Sequence, residues 1–339
     1  MNLASNSLSL PSRISIVVFS FGVLLRLVSA IWPESFWYDE MITLYFARLP
    51  VAESFFIDNH PPTFFLLLKL WVWLIGNIDN NSEPILRLLP FLISTVGLAA
   101  VFHGWKSWGV RVAMAINPAS IFFASEVRNH SLFELMSILF ALQATKVWTE
   151  RGEPIQISNY LILGLAGVGL LLSHFLGIVL ILSFLFLIAG STFAAERSLG
   201  QISKFLIAMA FICGFGWILE TYWIRAEYLN WLTEFHRGSV WVLITEPLLV
   251  VGSYSRVWTV LFLSGLLALV MRGGPSANFY AKWSLAFFFC IFVTEIVFNR
   301  SLGFRKFMIP GHVLASVALG LGLLDISFPL HCYLESESR

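Results

Sequence analysis

Asp39 and Glu40 stand side by side in the segment from Trp32 to Arg48, just beyond a long apolar run. Two carboxylates held together at a membrane surface suit acid–base work. One can take a proton from an acceptor hydroxyl while the other orients a donor or binds a cation. The plainer reading makes them a helix N-terminus, where carboxylates meet the unpaired N–H groups of the first turn. Spacing alone leaves both open. Met41, Leu44 and Tyr45 then recur at helical spacing, with Arg48 at the polar edge. That pattern predicts a short helix lying on the membrane surface with its apolar face on lipid. The segment ends Asp58-Asn59-His60-Pro61-Pro62, and Asp39, Glu40 and His60 together could hold a divalent cation, although no ligand spacing compels one. No other cofactor is indicated.

Three further places put polar residues where apolar ones surround them. The junction from Asn117 to His130 carries Glu126 and Arg128, either as a salt bridge at headgroup level or as groups facing the same pocket as Asp39. His174 interrupts a long apolar stretch, as a turn residue satisfied by backbone or as a binding residue. Arg305 and Lys306 open the last apolar run. Their charge-assisted hydrogen bonds suit an anionic phosphate, and the same chemistry would anchor anionic lipid headgroups. A charged, aromatic segment, 220–237, offers interfacial anchors or rings on which a sugar can stack.

The elements that must position these groups follow from composition. Of 339 residues, 58% are hydrophobic and 12% charged, with 32 Phe and 13 Trp, a balance that no water-soluble domain of this size could keep on its surface. Lipid is the expected solvent. A crossing helix needs roughly 20 apolar residues, and runs bounded by charge, Pro, Gly or Asn give about eleven segments. They fall near 14–31, 61–76, 86–102, 110–124, 131–148, 159–173, 174–193, 203–221, 254–271, 280–298 and 307–328. The expected fold is an all-α polytopic bundle forming one domain over 1–328, with a first outer loop at 32–60 and a short tail at 329–339. The run 240–251 is too short to cross and reads as re-entrant or interfacial. The first run reads as a span rather than a signal peptide, because it is long, contains Arg26 and has no convincing small-residue cleavage site.

Lys and Arg in alternate short loops set the orientation. Lys106 and Arg111, Lys146 and Arg151, Arg197 and Lys204, and Arg272 and Lys282 are placed inside. Asp39, Glu126 to His130, His174 and the basic pair Arg305–Lys306 then share the outer side. Parity allows only one of 61–76 and 86–102 to cross fully, and the shorter, opening at Pro61-Pro62, is expected to be partial or tilted. A formal net charge of +1 gives nucleic acid no handle. Cys213, Cys290 and Cys332 lack metal or redox spacing and read as unpaired packing residues.

The order of these features resembles the GT-C superfamily of membrane glycosyltransferases, in the branch related to protein O-mannosyltransferases, aminoarabinose transferases and bacterial lipopolysaccharide-core glycosyltransferases. That branch's acidic pair matches Trp37-Tyr-Asp39-Glu40, and its His-Pro-Pro motif matches His60-Pro61-Pro62. Its Arg-Leu-Pro element resembles Arg87-Leu-Leu-Pro90 with one residue inserted. Its Glu-x-Arg-x-Tyr element resembles Glu126-Val-Arg128-Asn-His130, with His for Tyr. His174 and an Arg-Tyr-x-x-Pro pattern resembling Arg305-Lys306-Phe-Met-Ile-Pro310 complete the likeness, which covers roughly 14–328. The large outer C-terminal domain of many relatives has no counterpart here, which would leave acceptor recognition to a partner or to membrane loops.

The resemblance implies inverting transfer of a sugar from a polyprenyl-phosphate donor to a glycan, lipid or protein acceptor. The setting would be a multi-pass bacterial inner membrane, with the site facing the periplasm or exterior. Asp39 would be the base, Glu40 and His60 would position, and Arg128 and Arg305, with Lys306 nearby, would hold the donor phosphate. Two other classes remain: a transporter or flippase, and a non-catalytic subunit of a polysaccharide-assembly complex. The gathering of charge at one interface favours catalysis over transport.

Overall fold

An apolar helix of 22 residues, α1 (Leu10–Ile31), opens the fold. Its exposed face carries Ile14, Val17, Phe21, Leu24, Val28 and Ile31, the side-chain types that hydrocarbon solvates. The computed structural model describes residues 10–32, 35–51, 61–75, 83–149, 157–174, 176–193, 256–272, 275–298 and 309–324. All regular structure among them is helical. After α1 come α2 (Tyr38–Arg48), α3 (Thr63–Ile75), α4 (Glu83–Gly104), α5 (Trp108–Ala115), α6 (Pro118–Phe123) and α7 (His130–Thr149). Then follow α8 (Ile157–Ser173), α9 (Gly177–Phe193), α10 (Arg256–Arg272), α11 (Pro275–Phe298) and α12 (Ile309–Leu319), the last continuing as a π turn over Gly320–Leu324.

Two of these helices, α1 and α4, are long and apolar enough to cross a membrane. At 1.5 Å per residue, the 22 residues of α4 reach about 33 Å, whereas the 13 of α3 reach about 20 Å, short of a hydrocarbon core. The expectation that the segment after Pro61-Pro62 is partial or tilted concerns a run whose continuation beyond Ile75 lies outside the described residues. The count of about eleven crossing segments is not what the described helices give. Several are apolar but shorter, among them α8 and the described parts of α9, α10 and α12. The runs 203–221 and 240–251, the segment 220–237, the tail 329–339, Cys213 and Cys332 lie outside the described residues. Cys290 is half-buried on α11.

The run expected at 110–124 is two helices. Asn117 breaks it: its side-chain oxygen accepts from the N–H groups of Ala119 (2.9 Å) and Ser120 (3.3 Å), and Pro118 at the first helical position has no N–H to give back to α5. The amide of Asn117 donates to Ser316 Oγ of α12 at 2.7 Å, so the break is tied into the core.

α4 and α7 pack side by side in the same direction, with Gly97 against Leu135 and Ile138 and Gly104 against Leu142, so their starts and their ends mark two ends of the described bundle. At the end where α4 and α7 terminate, Trp105 Nε1 donates to the Tyr280 hydroxyl (2.8 Å), which also meets Thr145 Oγ1 (2.5 Å). Trp148 stacks on Phe279 with centroids 4.9 Å apart. Arg111 reaches Trp105 O (2.8 Å) and Ser15 Oγ at the start of α1 (3.3 Å). Between the ends, Arg26 is buried on α1. It donates to Ser94 Oγ of α4 (3.0 Å), Gly22 O (3.1 Å), and the last carbonyls of α5, Met114 O (3.1 Å) and Ala115 O (3.0 Å). A guanidinium suits the negative end of a helix. α1 can come this close because a Cβ on Gly22 would lie 2.9 Å from Leu98 Cδ2 and 3.1 Å from Ala115 Cα.

Candidate active site at the α2 end

The first turn of α2 fixes which acid points where. Asp39 and Glu40 are successive helical residues, so their side chains diverge by about 100° around the axis. Glu40, Thr43 and Ala47 form the buried face, while Tyr38, Met41 and Tyr45 are exposed. The expected short helix is therefore present over 38–48, with a correction to its apolar face: Leu44 packs against the core with Ala47, Phe64 and Leu68.

Glu40 is buried and receives four N–H donors. Arg87 of α4 gives two, Nη1 to Oε1 at 2.9 Å and Nη2 to Oε2 at 3.1 Å. The backbone N–H of Val127 gives a third, to Oε1 at 2.8 Å, and that of Trp37 a fourth, to Oε2 at 3.3 Å. The Trp37 bond is the helix-capping one, so the plain reading of the acidic pair holds for Glu40, with an ion pair added. Burial pushes the Glu40 carboxyl above the usual range, an effect opposed by Val127 N–H, by the Arg87 charge and by Trp37 N–H. The nearby Glu126 charge adds to the rise. Arg87 also donates to Ser125 O, and its guanidinium lies 4.8 Å from the centroid of Phe36.

Asp39 differs from its neighbour. Its carboxylate is 28% exposed and pairs with Arg128, whose side chain is 8% exposed. The Arg128 guanidinium lies 5.9 Å from the Trp37 ring centroid, a cation–π separation. Chemically, this arrangement offers a solvent-reachable carboxylate as proton acceptor, beside a guanidinium able to bind an anion.

Of the groups expected to converge, the structure brings Asp39, Glu40, Glu126, Arg128 and His174 to this one end. Glu126 is buried and pairs with His130 Nδ1 at 2.5 Å. His174 is fully buried in the turn between α8 and α9. Its Nδ1 accepts from Leu176 N–H at 3.1 Å, and its ring stacks on Phe133 at 4.8 Å, which is the turn-residue setting. The site joins that turn through Asn129 Nδ2, which donates to Ser173 O at 2.9 Å. His60, Arg305 and Lys306 lie outside the described residues. Among the described residues no three His, Cys, Asp or Glu side chains gather as a metal set, and both Glu40 oxygens already accept from N–H donors.

Sequence reasoning gave no role to Arg87. Its signal was there: an arginine one turn inside an otherwise apolar helix of spanning length must find a partner. Glu134, buried on α7 with a hydrogen bond from Ser120, was likewise unassigned. No protein-family model matches the chain, and no curated protein matches it.

Proposed function

We propose that this protein is a multi-pass membrane glycosyltransferase of GT-C type, moving a sugar from a polyprenyl-phosphate donor to a hydroxyl acceptor at the extracytoplasmic face. The observation that carries the reading is the Asp39–Arg128 pair, partly exposed at the α2 end beside a buried ion pair that bonds the backbones of Trp37, Ser125 and Val127. In the reaction, the acceptor oxygen bonds to the anomeric carbon as the bond from that carbon to the phosphate oxygen breaks. The acceptor proton passes to Asp39, and the lipid phosphate leaves with the electron pair. Arg128 can stabilise the charge that grows on it, and electrostatic help of this kind is strongest where water is partly excluded. A lipid carrier presents its sugar at the interface, and the exposed Tyr38, Met41 and Tyr45 stripe of α2 suits that depth.

A transporter is the second reading, favoured by the interior charges Arg26 and Glu134. Arg26, however, spends its donors on Ser94 and on three backbone carbonyls, the setting of a brace between helices. The test incubates purified protein with a panel of radiolabelled polyprenyl-phosphate sugars and membrane extract. Label arriving on glycan, lipid or protein is the expected result. No transfer from any donor would remove the reading and favour a non-catalytic subunit.

A further inference from the structure

We infer that Arg87 is a positioning residue for the transfer reaction proposed above, on which this inference rests: by clamping Glu40 and the 125–127 turn, it sets where Asp39 stands relative to Arg128. Each reacting residue is one position away from a residue in the clamp. Asp39 precedes Glu40, and Arg128 follows Val127, whose N–H donates to Glu40 Oε1 at 2.8 Å. Arg87 closes the arrangement, holding both Glu40 oxygens at 2.9 and 3.1 Å and also donating to Ser125 O. One guanidinium therefore touches both segments that carry the pair. It is fixed in turn by α4 and by the Phe36 ring 4.8 Å away.

The planar fork is what the geometry uses. A guanidinium offers parallel N–H groups to two carboxylate oxygens with others left for a carbonyl, whereas an ammonium is a point charge without that fork. Arg87→Lys therefore keeps the charge that Glu40 needs and removes the alignment. Arg87 and Glu40 are buried, at 4% and 1% side-chain exposure, so neither is placed to touch substrate.

The experiment compares wild type with Arg87→Lys in two measurements on the full-length protein in detergent or nanodiscs. The first is sugar transfer, read as kcat and KM for the lipid donor. The second is labelling of Asp39 by a water-soluble carbodiimide and a small amine, mapped by mass spectrometry, which needs no transfer. The positioning role predicts a kcat about 100-fold lower, as expected of a misplacement near 1 Å, with donor KM little changed. It also predicts Asp39 labelling raised several-fold. An unchanged kcat, an unchanged Asp39 labelling, or a kcat that falls only with the folded fraction would overturn it. Should Arg87→Lys fail to fold, Glu40→Gln carries the same two measurements. Wild type that transfers no sugar would count against the reaction itself, while the labelling still decides whether Arg87 governs the Asp39–Arg128 pair.

Discussion

The two ends of the bundle close in different ways. At the end where α4 and α7 terminate, Trp105, Thr145 and Tyr280 share neutral hydrogen bonds under stacked Trp148 and Phe279. At the α2 end, Glu40 with Arg87 and Asp39 with Arg128 bring four charges to one place, all but Asp39 buried. The first end joins these helices with rings, neutral hydrogen bonds and one guanidinium, Arg111, whose partners Trp105 O and Ser15 Oγ are themselves neutral. Burying charge is costly even when paired, so the second end needs a reason beyond packing. The exposure of Asp39 gives one: the inner pair is the frame, and the outer pair is what the frame presents.

Breaking the frame should produce the largest effect. Arg87→Met strands a buried carboxylate, at a cost of about 3–5 kcal/mol in stability. Thermal unfolding in detergent should show a large drop in Tm, partly recovered in acid, where Glu40 takes up a proton. The neutral end should respond less. Tyr280→Phe leaves Trp105 N–H and Thr145 without their shared partner, a loss of about 1–3 kcal/mol. A variant as unstable as Arg87→Met would erase the contrast between the ends.

The pH dependence of stability sharpens the same comparison. Because the Glu40 carboxyl ionises above its ordinary value of 4.5, the folded protein binds more protons than the unfolded chain in the window just above that value. Glu40's contribution is therefore complete below 4.5 and is lost as pH rises through its higher folded value. Subtracting the Glu40→Gln profile from that of wild type should isolate this downward slope. A difference that rises with pH would contradict it.

Much of this was legible in residue order. The acidic pair, the short helix after it and the Glu126–Arg128 junction all follow from charges and apolar periodicity. Three things were hidden. The partnership of Glu40 with Arg87 joins residues that periodicity treats separately, because sequence shows that a buried charge needs a partner but not which one. The division between α5 and α6 is overridden in hydropathy by the apolar residues on both sides, although Asn117-Pro118 carries the capping chemistry that ends one helix and starts the next. His174 and Arg128 are both polar interruptions in apolar surroundings; only packing separates the histidine stacked on Phe133 from the arginine paired with Asp39.

Removing charge from the presented pair while sparing the frame should alter stability less than breaking the frame. Asp39→Asn takes the countercharge from buried Arg128 but leaves an amide oxygen that can still accept from it, so the loss should stay below about 3–5 kcal/mol, the cost of a fully stranded buried charge. Its effect on activity is the most direct test of the division between the two acids. Purified Asp39→Asn protein, matched to wild type for folded fraction, should bind a radiolabelled polyprenyl-phosphate sugar and transfer none of it. Turnover equal to wild type in that variant would contradict the account.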